Sequence, residues 1–470
     1  MPHRASLLGR DYEDRDRDSS RVRFRRALAL CGITIVLPGY AQYAMGNRRV
    51  GQAAMLVWFL SLCAGIATIF GFLFHREWTL TFFTREDVLN YTRIVVIVLA
   101  VIWAALFVDA WRLARPFALK KRHGFIVTVL TLAFTAGISG SLVYASQLMG
   151  TSNQVLHDVF RAKETSAPLE GRYNILLLGG DSGTGRVGLR PDSLTVASVD
   201  AATGRTVMIG VPRNLANVPF AEGSVMDQQF PNGFNCDGCY VNAVNTWAAG
   251  RPDLFPGVDN PGIEATKSAV EGVTGLKINY YIIVNLTGFK SLVDAVGGVR
   301  INVTDRVPIG GIGTPITDYI EVGDQVLDGR KALWYSRSRV NALDYNRMGR
   351  QKCVLNAMVK QLSPTTVILR ATQIAKSSKQ LLKTDIPRNE IGMFADIALK
   401  ARSAKISTVS FVPPDIDTGN PDFALILKMV SKAIAKSEAA ATGAAGDKGD
   451  TAGERSRAGL NADDLDSVCA

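Results

Sequence analysis

Asn174-Ile-Leu-Leu-Leu-Gly-Gly-Asp181-Ser-Gly-Thr-Gly-Arg-Val-Gly-Leu-Arg190-Pro-Asp192-Ser193 places an apolar run directly before a glycine-rich loop and then a charged Arg-Pro-Asp-Ser. The run from Asn174 to Leu178 reads as a strand, and a ligand commonly binds where such a strand gives way to a glycine loop in an α/β fold. The same loop also reads as an ordinary turn with Asp181 as its acid. Asp181 and Asp192 flank it, and two carboxylates with oxygen-only ligation suit Mg²⁺, which takes one or two carboxylates plus phosphate oxygens.

Outward from this stretch, Ser193 to Val199, Thr206 to Val211, Tyr280 to Val284, Val299 to Val303 and Ile406 to Phe411 read as further strands. Helical patterns occupy Tyr240 to Ala249, Gly262 to Val273, Gly288 to Val296, Gly329 to Ser336, Leu343 to Leu362, Thr366 to Leu382, Arg388 to Ala401 and Asp422 to Lys436. Interleaved strands and helices predict an α/β class domain, an α/β/α layered unit around a central mixed sheet, over residues 172–436. The Ala/Gly/charge-rich residues 437–470 read as a disordered tail.

Arginine is concentrated in Arg337-Ser-Arg339-Val-Asn-Ala-Leu-Asp344-Tyr-Asn-Arg347-Met-Gly-Arg350-Gln351. Read as a helix from Asp344, this segment puts Asp344, Arg347 and Gln351 on one face, which Met348, Leu355, Met358 and Leu362 continue. A guanidinium tolerates an inward position when an anion meets it, and its fork of donors fits phosphate oxygens. One aspartate cannot balance four arginines, so the pattern predicts a phosphate site; a salt-bridged surface helix is the other reading. Arg213, after the strand ending at Val211, joins Arg190, Arg337, Arg339 and Arg347 in a set suited to a diphosphate and a metal.

The charge is uneven along the chain. Residues 1–150 carry 18 Lys and Arg against 9 Asp and Glu, whereas residues 151–470 carry 35 against 33. The excess surrounds three uncharged or nearly uncharged runs, Val50 to Phe74, Ile94 to Trp111 and Gly124 to Gln147, each long enough to span a bilayer. Arg112, Arg115, Lys120, Lys121 and Arg122 put the loop between the second and third in the cytoplasm, so the third leads outward and everything after about Gly150 is expected to be extracytoplasmic. Nucleic acid is not implied. Residues 1–26 read as a disordered cytoplasmic tail without a cleavable leader, 27–149 as a helical membrane region, and 150–171 as a tether. Within the membrane region, 27–47 is interrupted by Pro38-Gly39 and reads as a re-entrant or fourth segment.

The four histidines are His3, His75, His123 and His157. None falls in the second half, which excludes Ser-His-Asp hydrolysis and His-ligated zinc there, although Gly180-Asp181-Ser182-Gly183 matches the nucleophile signature of trypsin-like proteases. The loop also lacks the Gly-Lys-Ser/Thr ending of a Walker motif. Cys236 and Cys239 favour a local disulfide outside the cell, while Cys353 and Cys469 show no evident partner.

Taken in order, Asn174-Ile-Leu-Leu-Leu-Gly-Gly-Asp181, Arg190-Pro-Asp192-Ser193, Val211-Pro-Arg213, Leu327-Asp-Gly-Arg-Lys-Ala-Leu-Trp-Tyr-Ser-Arg337-Ser-Arg339, and Asp344 with Arg347 and Arg350-Gln351 resemble the LytR-CpsA-Psr family of cell-envelope phosphotransferases. The resemblance spans Tyr173 to Phe411. It implies transfer of a glycopolymer from a polyprenyl diphosphate carrier to a wall acceptor such as peptidoglycan. It also implies that Asp181 and Asp192 hold Mg²⁺, that Arg190, Arg213, Arg337, Arg339, Arg347 and Gln351 grip the diphosphate, and that Asp344 orients arginines or metal. Asn214 stands where the family often has an acid, and three or four membrane segments replace the family's common single anchor. A polyprenyl diphosphate hydrolase and a non-catalytic sensor of lipid-linked phosphate are the alternative readings. Leu355, Met358, Leu362, Val367 and Ile368 could form a prenyl groove or an ordinary core.

Overall fold

Alternation along the strand from Arg172 to Gly180 sends Leu176 and Leu178 to one face of a sheet and Tyr173 and Ile175 to the other. The computed structural model describes residues 21–160, 164–180, 191–311, 314–340, 344–361, 382–441 and 461–469. The chain divides into two units, Met1–Asn153 and Gln154–Ala470.

The described part of the first unit is helical. A helix over 21–36 turns at Pro38-Gly39 into the short helix Tyr40–Ala44, and α1 (Arg48–Phe74), α2 (Glu86–Leu113) and α3 (Lys121–Val159) follow. Gly39 has φ 95°, and a Cβ there would lie 2.6 Å from the Gly51 carbonyl oxygen, so the interruption at 27–47 is a tight reversal packed on α1. Three helical stretches among the described residues, Arg48–Phe74, Glu86–Ala118 and Lys121–Gln154, are long and apolar enough to cross a membrane.

The second unit is built on strands β1 (Arg172–Gly180), β2 (Pro191–Asp200), β3 (Thr206–Val211), β4 (Tyr280–Asn285), β5 (Val299–Val303), β6 (Val307–Ile309), β7 (Asp318–Ile320), β8 (Gly323–Leu327), β9 (Leu382–Thr384) and β10 (Ile406–Ser410). Its main helices are α4 (Val241–Ala249), α5 (Pro261–Thr274), α6 (Leu286–Val296), α7 (Gly329–Arg337), α8 (Asp344–Gln361), α9 (Ile391–Ser403) and α10 (Phe423–Ala441). A six-stranded mixed sheet runs in the order β10-β3-β2-β1-β4-β9, parallel at β10/β3 and β1/β4 and antiparallel elsewhere.

Helices cover both faces. On one, Leu176, Leu178, Leu194, Val196, Ile209 and Val211 pack with Val241, Val244, Ile263, Ala269, Ile426 and Val430 from α4, α5 and α10. On the other, Tyr173, Ile175 and Val199 meet Ile397 of α9, and Met208 meets Leu355 and Val359 of α8. Each fully buried branched side chain of this kind stabilises by about 1.5–3 kcal/mol relative to exposure. A satellite core of Val299, Ile301, Ile309, Ile320, Leu327 and Val354 supports the two small ladders β5/β8 and β6/β7.

Several expectations are corrected. Helix α3 continues to Val159, through the first ten residues of the segment read as a tether, because Gly150 costs a helix only about 1 kcal/mol and the next proline is Pro168. Residues 21–26 of the supposed disordered tail are helical. Leu382, placed at the end of a helix, starts β9, which pairs with β4 and covers that sheet edge; residues 366–381, the rest of that expected helix, lie outside the described residues. In the tail read as disordered, α10 reaches Ala441, and residues 461–469 return to β10 through Ala462, which exchanges backbone hydrogen bonds of 2.8 and 3.0 Å with Thr408. Cys469 is disulfide-bonded to Cys353, so the two cysteines read as partnerless are partners. Cys236 and Cys239 form the local disulfide expected of them.

Candidate active site

A cavity of about 1000 Å³ opens against the face of the sheet that carries α8. Its wall draws on the ends of β1 and β4, the start of β2, the loop after β3, the β6–β7 hairpin, α7 and α8. These pieces are distant in sequence, and each is brought there by a local device.

Asp192 enters the wall at the start of β2, beside Gly179 and Gly180. Arg213 follows β3 and Pro212, and its Nη1 donates to Asp192 Oδ1 at 2.7 Å, with both side chains partly exposed. The Arg213 loop is pinned from behind: Asn242 N donates to the Arg213 carbonyl at 3.2 Å and Val241 N to the Leu215 carbonyl at 3.0 Å, which ties the start of α4 to it. Asn214 points away, donating to Thr418 Oγ1 at 3.1 Å.

Helix α7 delivers Arg337 in its last turn, where a cation also suits the helix dipole. Asp328 caps its start by accepting from Lys331 N at 2.7 Å. Gly329 is required there, since a Cβ would stand 2.1 Å from the Lys290 carbonyl oxygen of α6. Arg337 is exposed toward the cavity, with its guanidinium carbon 5.6 Å from the Trp334 ring centroid, and Ser338 and Arg339 continue the wall.

Helix α8 contributes Arg347, Gln351 and Leu355, spaced four apart and so stacked on one face. Arg347 is 3% exposed. Gln351 Nε2 donates to the Ser336 carbonyl at 3.1 Å, and Arg350 Nη2 donates to the Ser338 carbonyl. These two bonds satisfy carbonyls left open at the end of α7 and lock the two arginine-bearing helices together. Arg350 is thereby a strut rather than a wall residue; burial lowers its pKa below the ordinary arginine value.

The described wall thus presents Arg213, Arg330, Arg337, Arg339 and Arg347 against the single carboxylate of Asp192. Such an excess of guanidinium in one recess is matched by a polyanion with several oxygens. Asp181 and Arg190 lie outside the described residues, as does the side chain of Asp344, whose backbone opens α8. Among the described residues no group of three His, Cys, Asp or Glu could hold a metal. Asp192 is the one carboxylate on the described wall, an oxygen donor of the type a hydrated Mg²⁺ takes, and its Oδ1 is engaged by Arg213.

The sequence left five apolar residues open between a prenyl groove and the core. Of these, Leu355 lines the cavity, Met358 packs against the satellite core, and Leu362, Val367 and Ile368 lie outside the described residues. The wall comes instead from Leu177, Ile282, Val284, Phe289, Leu333 and Trp334. Ile282 and Val284 alternate along β4 and are only half-buried, a signal visible once β4 is known to be next to the edge. Asn285 caps α6 by accepting from Gly288 N at 2.7 Å and lines the cavity. Arg330 and Asn242 were also missed.

A mixed α/β sheet carries an arginine-rich, partly apolar recess whose lining suits a ligand that is both anionic and apolar. Residues 143–436 match the LytR_cpsA_psr family model, and the chain belongs to that family. It is 28% identical over 286 residues to the polyisoprenyl-teichoic acid–peptidoglycan teichoic acid transferase TagU of Oceanobacillus iheyensis, covering 58% of this chain and 80% of that one. It is 31% identical over 194 residues to the probable cell wall biosynthesis protein LcpB of Corynebacterium glutamicum, covering 40% of this chain and 38% of that one. Among solved structures, TagV of Bacillus subtilis matches 57% of this chain and 98% of its own at 24% identity and a TM-score of 0.42.

Proposed function

We propose that this chain transfers a glycopolymer from a polyprenyl diphosphate carrier to a wall acceptor such as peptidoglycan. The observation that carries the reading is the single cavity in which five guanidinium groups adjoin an apolar wall. A lipid diphosphate is a molecule with both halves. The names of the TagU relatives, which specify a polyisoprenyl-linked donor and a peptidoglycan acceptor, support the same donor and acceptor classes.

In the step proposed, an acceptor hydroxyl oxygen attacks the phosphorus bonded to the glycopolymer. A new P–O bond forms, the P–O bond to the distal phosphate breaks, and the products are a phosphodiester-linked glycopolymer, polyprenyl phosphate and one proton. Arg213, Arg337, Arg339 and Arg347, with Gln351 and Arg190, bind the diphosphate oxygens and hold the reacting phosphorus in place. Charge neutralisation and positioning then supply most of the rate. Asp192 and Asp181 would hold Mg²⁺, which when bound offsets phosphate charge, and Asp344 would orient arginines or metal. The Asp192–Arg213 ion pair keeps the guanidinium aimed at the recess before substrate arrives.

The domain after α3 is assigned to the outer face of a multi-pass membrane protein. Three membrane-length helices, the basic loop between α2 and α3, and two disulfides in the second unit support this placement. The test is full-length protein in liposomes with a polyprenyl-diphosphate-linked glycan and peptidoglycan sacculi. The reading expects glycan in the insoluble fraction and polyprenyl phosphate in the lipid fraction. Release without attachment would make the protein a hydrolase, and binding without turnover a sensor.

A further inference from the structure

Lys352 is 1% exposed, follows Gln351 on α8, and plays no part in the step described above. Its ammonium donates to the Val409 carbonyl at 3.1 Å, to Ser410 Oγ at 2.5 Å and to Thr408 Oγ1, all on β10. An ammonium has three protons, and three acceptors fix its direction fully. The side chain reaches β10 beside Gly210 of β3, the partner of Ser410 in the parallel β3/β10 ladder. A Cβ on Gly210 would stand 3.0 Å from Lys352 Cε and 3.1 Å from Nζ, so the absence of a side chain there leaves the lysine its path.

Gly210 is three residues before Arg213, and Lys352 is five after Arg347. The lysine therefore bolts the helix carrying Arg347 and Gln351 to the strand pair that ends in Arg213. We propose that Lys352 is a positioning residue, holding the α8 arginine face in register with Arg213 across the cavity. An apolar side chain of the same length would fill the path but would fix neither the rotation nor the advance of α8. Replacing a buried charge with a packed apolar residue is often neutral or stabilising, so retention of a charged group here is explained by direction rather than by stability. The diphosphate part of this inference rests on the proposed function; the anchoring part does not.

The experiment compares wild type, Lys352→Met and Ser410→Ala in the full-length protein, by hydrogen exchange at the amides of 345–351 and by titration with farnesyl diphosphate. At pH 7, Lys352→Met should lose protection over 345–351 while keeping the wild-type melting temperature and protection in β1 and β2. Its affinity for farnesyl diphosphate should fall about tenfold to a hundredfold, as expected of an ångström-scale misplacement. Ser410→Ala, which keeps the lysine and removes one acceptor, should lie between. Wild-type protection of 345–351 in Lys352→Met overturns the inference, and so does a uniform loss of protection and melting temperature, which marks a general structural role. If the exchange changes as described while wild type itself does not bind farnesyl diphosphate, the anchor stands and the proposed function falls.

Discussion

Arg213 Nη1 and Asp192 Oδ1, contributed by the end of one strand and the start of its neighbour, meet at 2.7 Å on the wall of the cavity. The pair is partly solvated, and such pairs contribute about 0–1 kcal/mol to stability. Arg213→Ala should leave thermal unfolding nearly unchanged while reducing glycopolymer transfer at least tenfold, about 1.4 kcal/mol of lost transition-state binding. Full transfer activity in purified Arg213→Ala protein would remove the residue from the site.

Arg337 and Arg347 reach the same cavity with different burial. Exposed Arg337 replaced by alanine should weaken binding of a lipid diphosphate without a measurable change in melting temperature. Arg347→Ala should lose binding and also shift the melting temperature, because its buried guanidinium and aliphatic stem pack within the protein. Calorimetric titration and a thermal scan on each variant separate the two outcomes.

Chelation tests the metal assignment. Transfer should fall on EDTA treatment and return with Mg²⁺, and Asp192→Ala should need a higher Mg²⁺ concentration for half-maximal rate. Activity indifferent to EDTA would leave charge neutralisation to the arginines alone.

Reduction tests the link between α8 and residues 461–469. The Cys353–Cys469 bridge closes a loop of 116 residues, and loss of such a bridge destabilises by about 2–5 kcal/mol. Cys353→Ser should unfold at lower temperature than wild type under oxidising conditions, and the two should converge in reductant; equal melting curves under oxidising conditions would count against the bridge.

Burial lowers the Lys352 pKa to about 7 from its ordinary 10.5. In the unfolded chain the amine stays protonated up to that ordinary value, so between about pH 7 and 10.5 the unfolded state holds more protons. Its contribution to stability is therefore full above pH 10.5 and is lost as pH falls through 7. Wild type should gain stability across this window relative to Lys352→Met, as read by denaturant unfolding at several pH values. Parallel curves for the two proteins would show that burial does not lower the Lys352 pKa.

The main sheet and the face of α8 were legible because local signals and tertiary packing agree there. The continuous apolar runs of β1 to β3 and the four-residue spacing of Arg347, Gln351 and Leu355 can each be read without knowledge of the partner element. Strands β6, β7 and β9 have three residues each, too few to show a period, and they exist because neighbouring edges need pairing. The return of residues 461–469 was illegible for a similar reason: an Ala/Gly/charge-rich stretch precedes it, and only Leu465, fully buried, and Cys469 mark a docked segment. Lys352 escaped notice because one lysine in a basic stretch resembles its solvated neighbours until Gly210, on a strand 142 residues earlier, is placed beneath it.

Cys353 is synthesised 116 residues before its partner, so the helix that bears Arg347 and Gln351 carries a free thiol until the intervening polypeptide has been made. Covalent closure then depends on an oxidant met after synthesis. A host lacking thiol oxidase activity would deliver full-length polypeptide whose arginine helix is unclasped, and recombinant material from a reducing cytosol would share that defect.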